Sequence, residues 1–490
     1  MQNRIKKLLR STVRFGNMYA VPILLFVITL AALFISRLTV FDPDNGFQIA
    51  HARVILSQGF VTEEPLTMHT GLSFMIPQWA TAMLIWFLYT KLGVVAMNLV
   101  FLLFTAGTEW IMYKTGVLVS KNRTASALAV WVCISLYLMF LYAPRPHTIS
   151  MFLIALEIYA LEQYKAGRRK YIWMLPAISV ALINFHNSLW LFVIVAALPY
   201  VAEFIWYKKG PEKVTKEVMT ASVLTILCGV VNPYGLKAPM YIVSSMKSIE
   251  AIAPYIIEMM PTGSNGHTIV SMAIPLATVL ALLQRKEHEP IPIRYYLLWA
   301  GTLLLAIMNV RSWVQFLVCG CPMLICAIKG FDIKVEERCR WNYGALLPAV
   351  MIVLVPILTM FGDEVPGGKT KEDIDTCLQY VKENISKDAV IFNSLNTGSY
   401  LEYYGYKPYI DTRNEVFGIS NNGKFDYTQE YIDVGVKGIN PEGFLKNYGF
   451  DTLIIQNNQC EALVYYAEQS GEWDKVYNGP DAAVYRTRGK

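Results

Sequence analysis

Residues 41–79 read FDPDNGFQIAHARVILSQGFVTEEPLTMHTGLSFMIPQW. The stretch follows a first apolar segment, 18–35, and precedes all the others. It carries Asp42, Asp44, His51, Glu63, Glu64 and His69. Such groups are too costly to leave in hydrocarbon, so the stretch is expected outside it. A connection this long between membrane spans usually has a task of its own.

The rest of the chain supplies the membrane. Of 490 residues 54% are hydrophobic and 16% charged, where a soluble domain is nearer about one quarter charged. Several segments are long and apolar enough for a hydrocarbon core of roughly 30 Å. The fold class expected is therefore a polytopic α-helical membrane protein. Arg4, Lys6, Lys7, Arg10 and Arg14 precede the first apolar segment, and no small-residue cleavage site follows it, so a retained first helix is expected. From residue 363 onward there are 13 Lys/Arg and 20 Asp/Glu; residues 1–362 hold 30 and 17. A basic excess in the loops of a membrane domain sets its orientation. With no Gly-rich phosphate loop, no paired CxxC and no aromatic-basic pattern, nucleic acid is not an expected partner. Cys133, Cys228, Cys319, Cys321 and Cys326 lie in apolar segments, where they pack as small side chains. Cys377 and Cys460 share the tail, where a disulfide and two free thiols are both open.

The hydropathy pattern predicts eleven spans, near 18–35, 94–113, 124–142, 148–164, 171–185, 188–206, 218–231, 268–283, 295–310, 313–328 and 343–361. With the N-terminus cytoplasmic, every Lys/Arg cluster of this region falls in an inner loop, Arg168, Arg169, Lys170, Lys208 and Lys209 among them. Counting 76–89 as a span would reverse that, so it reads as an interfacial helix on the outer surface. The odd count places the tail outside the cytoplasm, in a protein of the cell (inner) membrane. Two domains follow: a membrane domain, 1–362, with a long first outer loop, 37–93, and an extracytoplasmic domain, 363–490. The tail alternates helices with short β-branched runs at 389–393, 408–411, 452–456, 475–477 and 482–486, which argues an α/β domain. SLNTGSY (394–400) and IDTRN (410–414) then stand beyond strand ends, where ligands of such sheets collect.

Polar residues gather on the expected outer side: Asp44 and Glu64 in the first loop, Arg145 after Pro144, Asn184 and His186 in a tight turn, Asn232-Pro-Tyr-Gly235, Glu258, and Arg311 at the end of the ninth span. Arginines there grip phosphate with two parallel bonds, and a carboxylate takes a proton from a hydroxyl. Taken singly, each has a plainer role, such as meeting headgroups or ending a helix, and NPYG reads first as a turn. Glu109, Glu157 and Glu162 fall inside expected spans; Glu109 and Glu162 lie near inner ends, within reach of water, and Glu157 does not.

The ordered set resembles a large bacterial family of multispan proteins related to the GT-C glycosyltransferases. Its loop reads roughly D-x-W-W-H-x-x-x-G-x-x-I-L-x-x-G-x-x-P-x-x-D-P-F-S, followed by an H-E-W-L helix. Asp44 matches the first Asp, Ile55-Leu56 and Gly59 the middle, and Glu64-Pro65 the D-P step. Arg145-Pro146, Asn184-Phe185-His186, the NPYG turn, Glu258, Arg311, Gly398-Ser399-Tyr400-Leu401 and Asp411-Thr412-Arg413 match later family motifs in order. Gln48 replaces the loop histidine and Pro77-Gln78 the H-E pair, with His51, His69 and His147 the nearest substitutes.

The resemblance implies a transferase that takes a sugar from a polyprenyl-phosphate donor to a glycan, lipid or protein acceptor in the cell envelope, with membrane lipid as a further partner. It makes Asp44 the base, Glu64 a holder of the acceptor or of a divalent cation (Mg or Mn), and Arg145 and Arg311 the phosphate ligands. Asn184, His186 and Glu258 support them, and Asp411 and Arg413 bind acceptor. Two rival readings are a lipid or glycan translocator, for which Glu157 is the best support, and a non-catalytic envelope assembly factor.

Overall fold

A computed structural model describes residues 23–29, 31, 38–39, 41–140, 143–206, 216–249, 253–263, 272–283, 290–329, 368–419, 423, 425–456, 459–479 and 482–488. Packing divides the chain into two compact units whose segments alternate in sequence. One comprises Met1–Val40, Val94–Val231 and Ile257–Phe361, the other Phe41–Gly93, Asn232–Ile256 and Gly362–Lys490.

The first unit is helical. Its helices include Arg123–Phe140, Pro146–Lys165, Met174–Phe185, Leu191–Trp206, Lys216–Leu227, Ala273–Leu283 and Ile293–Met308. By length and apolarity Trp79–Ser120 and Asn187–Trp206 can cross a membrane. Val310–Cys319 and Cys321–Lys329 make a third candidate if that pair, bent by 49°, counts as one. The described residues thus give two or three candidate spans where eleven were expected; several other apolar helices are shorter, and the expected span 343–361 and most of 18–35 lie outside the described residues. Trp79–Ser120 breaks at Gly93, where φ is 86° and ψ 172°, a conformation open to glycine. Residues 79–93 pack in one unit and those from Val94 onward in the other.

Four charged groups inside this unit, Glu162, Lys165, Glu203 and Arg294, pair with one another. Arg294 Nε and Nη2 donate to the two oxygens of Glu162 at 2.9 and 3.1 Å, and Nη1 donates to Glu203 at 2.7 Å. Tyr200 Oη donates to Glu162 at 2.8 Å, and Lys165 Nζ lies 3.2 Å from Glu203. The network ties Pro146–Lys165, Leu191–Trp206 and Ile293–Met308 together. Glu162 is therefore buried against Arg294 rather than reaching water, and Glu109 is buried as well, accepting from Thr29 Oγ1 at 3.4 Å. Glu162 is thus satisfied by partners instead of solvent, whereas the second oxygen of Glu109 has no hydrogen-bond partner among the described residues. Glu157 is 0% exposed, and neither of its oxygens has a hydrogen-bond partner among the described residues.

The second unit holds a four-stranded sheet of β1 (Ile391–Asn393), β2 (Thr452–Gln456), β3 (Trp473–Asn478) and β4 (Ala482–Thr487), in the order β1-β2-β4-β3. β1 and β2 are parallel; β4 runs antiparallel to both of its neighbours. β2 reads TLIIQ and is buried along its whole length, as a strand covered on both faces must be. Leu453 and Ile455 enter one core with Phe392, Tyr409 and Phe450; Ile454 enters another with Ile391, Val484 and Cys377. Leu72, Phe74 and Ile76 of the first loop belong to the former core. The long loop and the tail thus fold as one unit.

Residues 408–411, expected as a strand, join no ladder. A side chain takes the ladder's place: Asn393 Oδ1 accepts from Tyr409 N at 2.9 Å and Asn393 Nδ2 donates to Ile410 O at 2.7 Å. Buried backbone groups must find partners, and here an amide supplies them. Cys377 and Cys460 are both buried and free.

Candidate active site

In the second unit, Asp42 caps the helix Pro43–Gln58, accepting from Asp44 N at 3.0 Å, while Asn45 reaches back to Asp42 N. The cap fixes where the helix starts and places Asp44 in its first turn, where the helix dipole favours an anion. Asp44 is half-buried and accepts from Thr412 Oγ1 at 3.0 Å. Thr412 Oγ1 also lies 3.1 Å from Ser399 Oγ. Asp44, GSYL and DTR, three separate motifs in sequence, therefore meet. Two glycines allow it. A Cβ on Gly46 would stand 2.4 Å from Ser399 O, and one on Gly398 would stand 2.1 Å from Ile410 O, so backbones touch where any other residue would hold them apart.

Behind Asp44 lies a buried cluster around Arg413, which is 4% exposed. Its Nε donates to Asp411 Oδ1 at 2.9 Å and its Nη2 to Asp411 Oδ2 and to Glu402; its Nη1 donates to Glu64 at 2.6 Å and to His51 Nε2 at 2.8 Å. A guanidinium only donates, so His51 accepts through Nε2 and carries its proton on Nδ1. Burial and then Arg413 keep His51 well below its ordinary pKa. Burial opposes the charge on Arg413, but Asp411, Glu402 and Glu64 hold its pKa well above normal. Three carboxyls share this one cation. Burial outweighs Arg413 at Glu402 and at Glu64, raising both, Glu402 the more strongly.

This occupies the atoms expected to bind ligands. Glu64 gives one oxygen to Arg413 and the other to Leu66 N at 2.7 Å, and Asp411 and Arg413 are joined to each other. Among the described residues no group of three or more His, Cys, Asp or Glu side chains is placed to hold a metal ion. Glu402 carried no signal as a site residue and only follows the GSYL motif, while Thr412 lies inside the matched DTR motif but carried no role of its own. Asn232, Pro233, Tyr234 and Gly235 form the expected turn: Asn232 Oδ1 accepts from Tyr234 N at 2.8 Å, and Tyr234 Oη accepts from Ile76 N at 3.1 Å.

In the first unit a basic group forms at helix ends. Arg145 precedes the helix Pro146–Lys165 and lies 3.5 Å from Glu258, which is 47% exposed. Arg311 sits in the turn Val310–Ser312, where Asn309 Oδ1 accepts from its backbone N at 2.9 Å. Its guanidinium has no hydrogen bond or carboxylate partner among the described residues. His147 and His186 stack at 6.1 Å, with planes 25° apart, and Ser150 Oγ lies 2.7 Å from His186 Nδ1. Arg311 and Arg145 act electrostatically on His147, and Arg311 on His186. Burial, and then Arg311, hold the His186 pKa down at about 3. Asn184 serves the backbone, donating to Val180 O and Val231 O at 2.7 and 2.8 Å. The structure thus brings Arg145, Arg311, His186 and Glu258 into one unit, and Asp44, Glu64, Asp411 and Arg413 into the other.

Two solved structures share this arrangement of the chain. An arabinofuranosyltransferase, AftD from Mycobacteria, matches 96% of this chain with a TM-score of 0.56 at 14% identity. ArnT from Cupriavidus metallidurans, bound to undecaprenyl phosphate, matches 94% of this chain and 97% of its own, with a TM-score of 0.50 at 12% identity. The fold is that of the GT-C glycosyltransferases. The chain spans about two fifths of the arabinofuranosyltransferase, 41% of its length. No protein-family model matches the sequence, and no curated protein matches it either.

Proposed function

We propose that the chain is a membrane glycosyltransferase that moves a sugar from a polyprenyl-phosphate donor to an extracytoplasmic glycan, lipid or protein. The observation that carries the reading is the basic group of the GT-C-fold unit. Arg311, without a carboxylate partner among the described residues, and Arg145 stand with two buried histidines at helix ends. A guanidinium without a carboxylate partner, as at Arg311, suits a phosphate. ArnT, which shares the fold, was solved with undecaprenyl phosphate bound. Outside the cytoplasm no nucleotide sugar is at hand, so the activated donor must be lipid-linked.

In this reading Asp44 takes the proton from the acceptor hydroxyl. The hydroxyl oxygen attacks the anomeric carbon, whose bond to the phosphate oxygen breaks with inversion. The electron pair leaves with the lipid phosphate, now a monoester, and Arg145 and Arg311 offset the added charge. We assign Glu64, Asp411 and Arg413 to holding the segment that carries Asp44, on the strength of their burial and mutual bonds. Arg311→Ala is expected to weaken binding of undecaprenyl phosphate by detergent-solubilised protein at least tenfold, while Asp44→Asn leaves it within about twofold. Equal binding by wild type and Arg311→Ala would remove the phosphate site.

The translocator reading rests on Glu157, fully buried without a partner in the described residues. It expects labelled lipid to cross vesicle membranes with no acceptor present, and to cross more slowly in Glu157→Gln. The transferase reading expects no such movement.

A further inference from the structure

His147 is 7% exposed, and neither ring nitrogen has a hydrogen-bond partner among the described residues. It lies in the first turn of the helix Pro146–Lys165. The groups facing it are His186, stacked against it, and the charges of Arg311 and Arg145, the latter within reach of Glu258. Tyr137 of the neighbouring helix is engaged with Thr148, Oη to Oγ1 at 3.2 Å. A buried imidazole left unbonded is costly, and sequence offers no packing reason for a polar ring here. Burial, then His186, and then the two nearby cations favour the neutral ring. An arriving anion would reverse both effects: it accepts the imidazole N–H, and its charge cancels the cations.

We infer that His147 is a direct ligand of the lipid phosphate and takes up a proton when the phosphate is a monoester, with His186, fixed by Ser150, positioning its ring. The inference rests on the phosphate reading of Arg145 and Arg311. The donor is a phosphodiester with one negative charge. When its bond to the sugar breaks, the electron pair stays on the phosphate oxygen and the product carries two. The acceptor's proton goes to Asp44; the proton on His147 comes from solvent and forms the second N–H of the ring. The histidine therefore distinguishes spent lipid from loaded lipid by charge.

Binding of farnesyl phosphate, a monoester, and of its methyl diester is measured for wild type, His147→Gln and Arg311→Ala at pH 6 and pH 8. Glutamine keeps a donor but cannot titrate. Proton uptake on binding makes affinity rise as pH falls, so the ratio of wild-type to His147→Gln affinity for the monoester is expected to rise roughly tenfold from pH 8 to pH 6, with no change for the diester. Taking the ratio removes the monoester's own titration, common to both proteins, and thermal melts confirm that the variant folds. A ratio independent of pH, with Arg311→Ala still defective, overturns the role of His147 and leaves the phosphate site standing. Failure of wild type to bind either ligand, or full binding by Arg311→Ala, overturns the phosphate reading itself.

Discussion

Arg413 joins four side chains, Glu402 and Asp411 from nearby in sequence and His51 and Glu64 from the distant first loop. Its planar fork serves Asp411 with two nitrogens, a geometry that a lysine ammonium cannot copy. Arg413→Met is therefore expected to destabilise the second unit by about 3–5 kcal/mol, because it leaves buried carboxyls without their cation, and Arg413→Lys by a smaller amount, because the ammonium keeps the charge but not the fork. Chemical denaturation followed by tyrosine and tryptophan fluorescence measures the loss. His69 supplies a pH dependence. Its Nε2 lies 2.7 Å from Tyr409 O and its ring stacks on Tyr427 at 3.8 Å, and burial lowers its pKa to about 4. Unfolded, the ring takes a proton near pH 6.5, so its stabilising effect is complete above that value. Stability then falls as pH drops from 6.5 towards 4, by on the order of 1 kcal/mol per pH unit. His69→Phe keeps the stack and removes the titration, so its melting temperature is expected to fall less than wild type between pH 7 and pH 5. At this scale the sequence named Glu64, Asp411 and Arg413 by motif, but the motif carried no sign that they face one another. Pairing across 349 positions is a property of the fold and leaves no local trace.

The helices and strands that were easiest to read are those with a strong period and clear flanks. β2 falls where the short β-branched run at 452–456 put it. Residues 408–411 did not, since an Asn393 amide can hold a backbone as well as a strand can, and the pattern of PYID is the same in both cases. The glycines tell more than the apolar residues about how two helices meet. Gly46 lies on the helix Pro43–Gln58 and faces Ser399 of the helix Leu395–Tyr403 across a backbone contact. Gly46→Ala would drive a methyl against a carbonyl that cannot rotate away, costing about 1–3 kcal/mol. Thermal melts are expected to show the loss, and the Asp44–Thr412 bond should loosen with it, so transfer should fall as well. Unaltered melting would mean that the two helices are not held at this distance. Gly93 marks a different kind of boundary. Its left-handed turn breaks one long apolar helix, which explains why 76–89 resisted assignment from hydropathy: apolarity continues across a break that only φ reveals.

Charge divided the whole molecule at residue 362, a basic part from an acidic one. Packing also takes the long first loop and the NPYG segment into the unit of the tail. The reason is visible in Leu72, Phe74 and Ile76, which enter the core beside the sheet; three apolar residues in a loop of mixed composition carry too little signal to show where they are buried. The GT-C resemblance was legible because the motifs keep their order along the chain, and the solved structures share that fold. The basic group at Arg145 and Arg311 was partly legible: the arginines stand at segment ends, whereas His147 is an unremarkable residue until its ring is found buried and unbonded. The account as a whole turns on Asp44 acting as a base. Its substitution by Asn preserves an acceptor for Thr412 and removes the proton site, so folding and lipid binding are expected to survive. The decisive measurement follows labelled sugar from a panel of undecaprenyl-phosphate hexoses and pentoses into envelope extract. With Asp44→Asn the account predicts transfer reduced about 10²–10⁴-fold and undecaprenyl phosphate still bound; transfer by Asp44→Asn at the wild-type rate would contradict it.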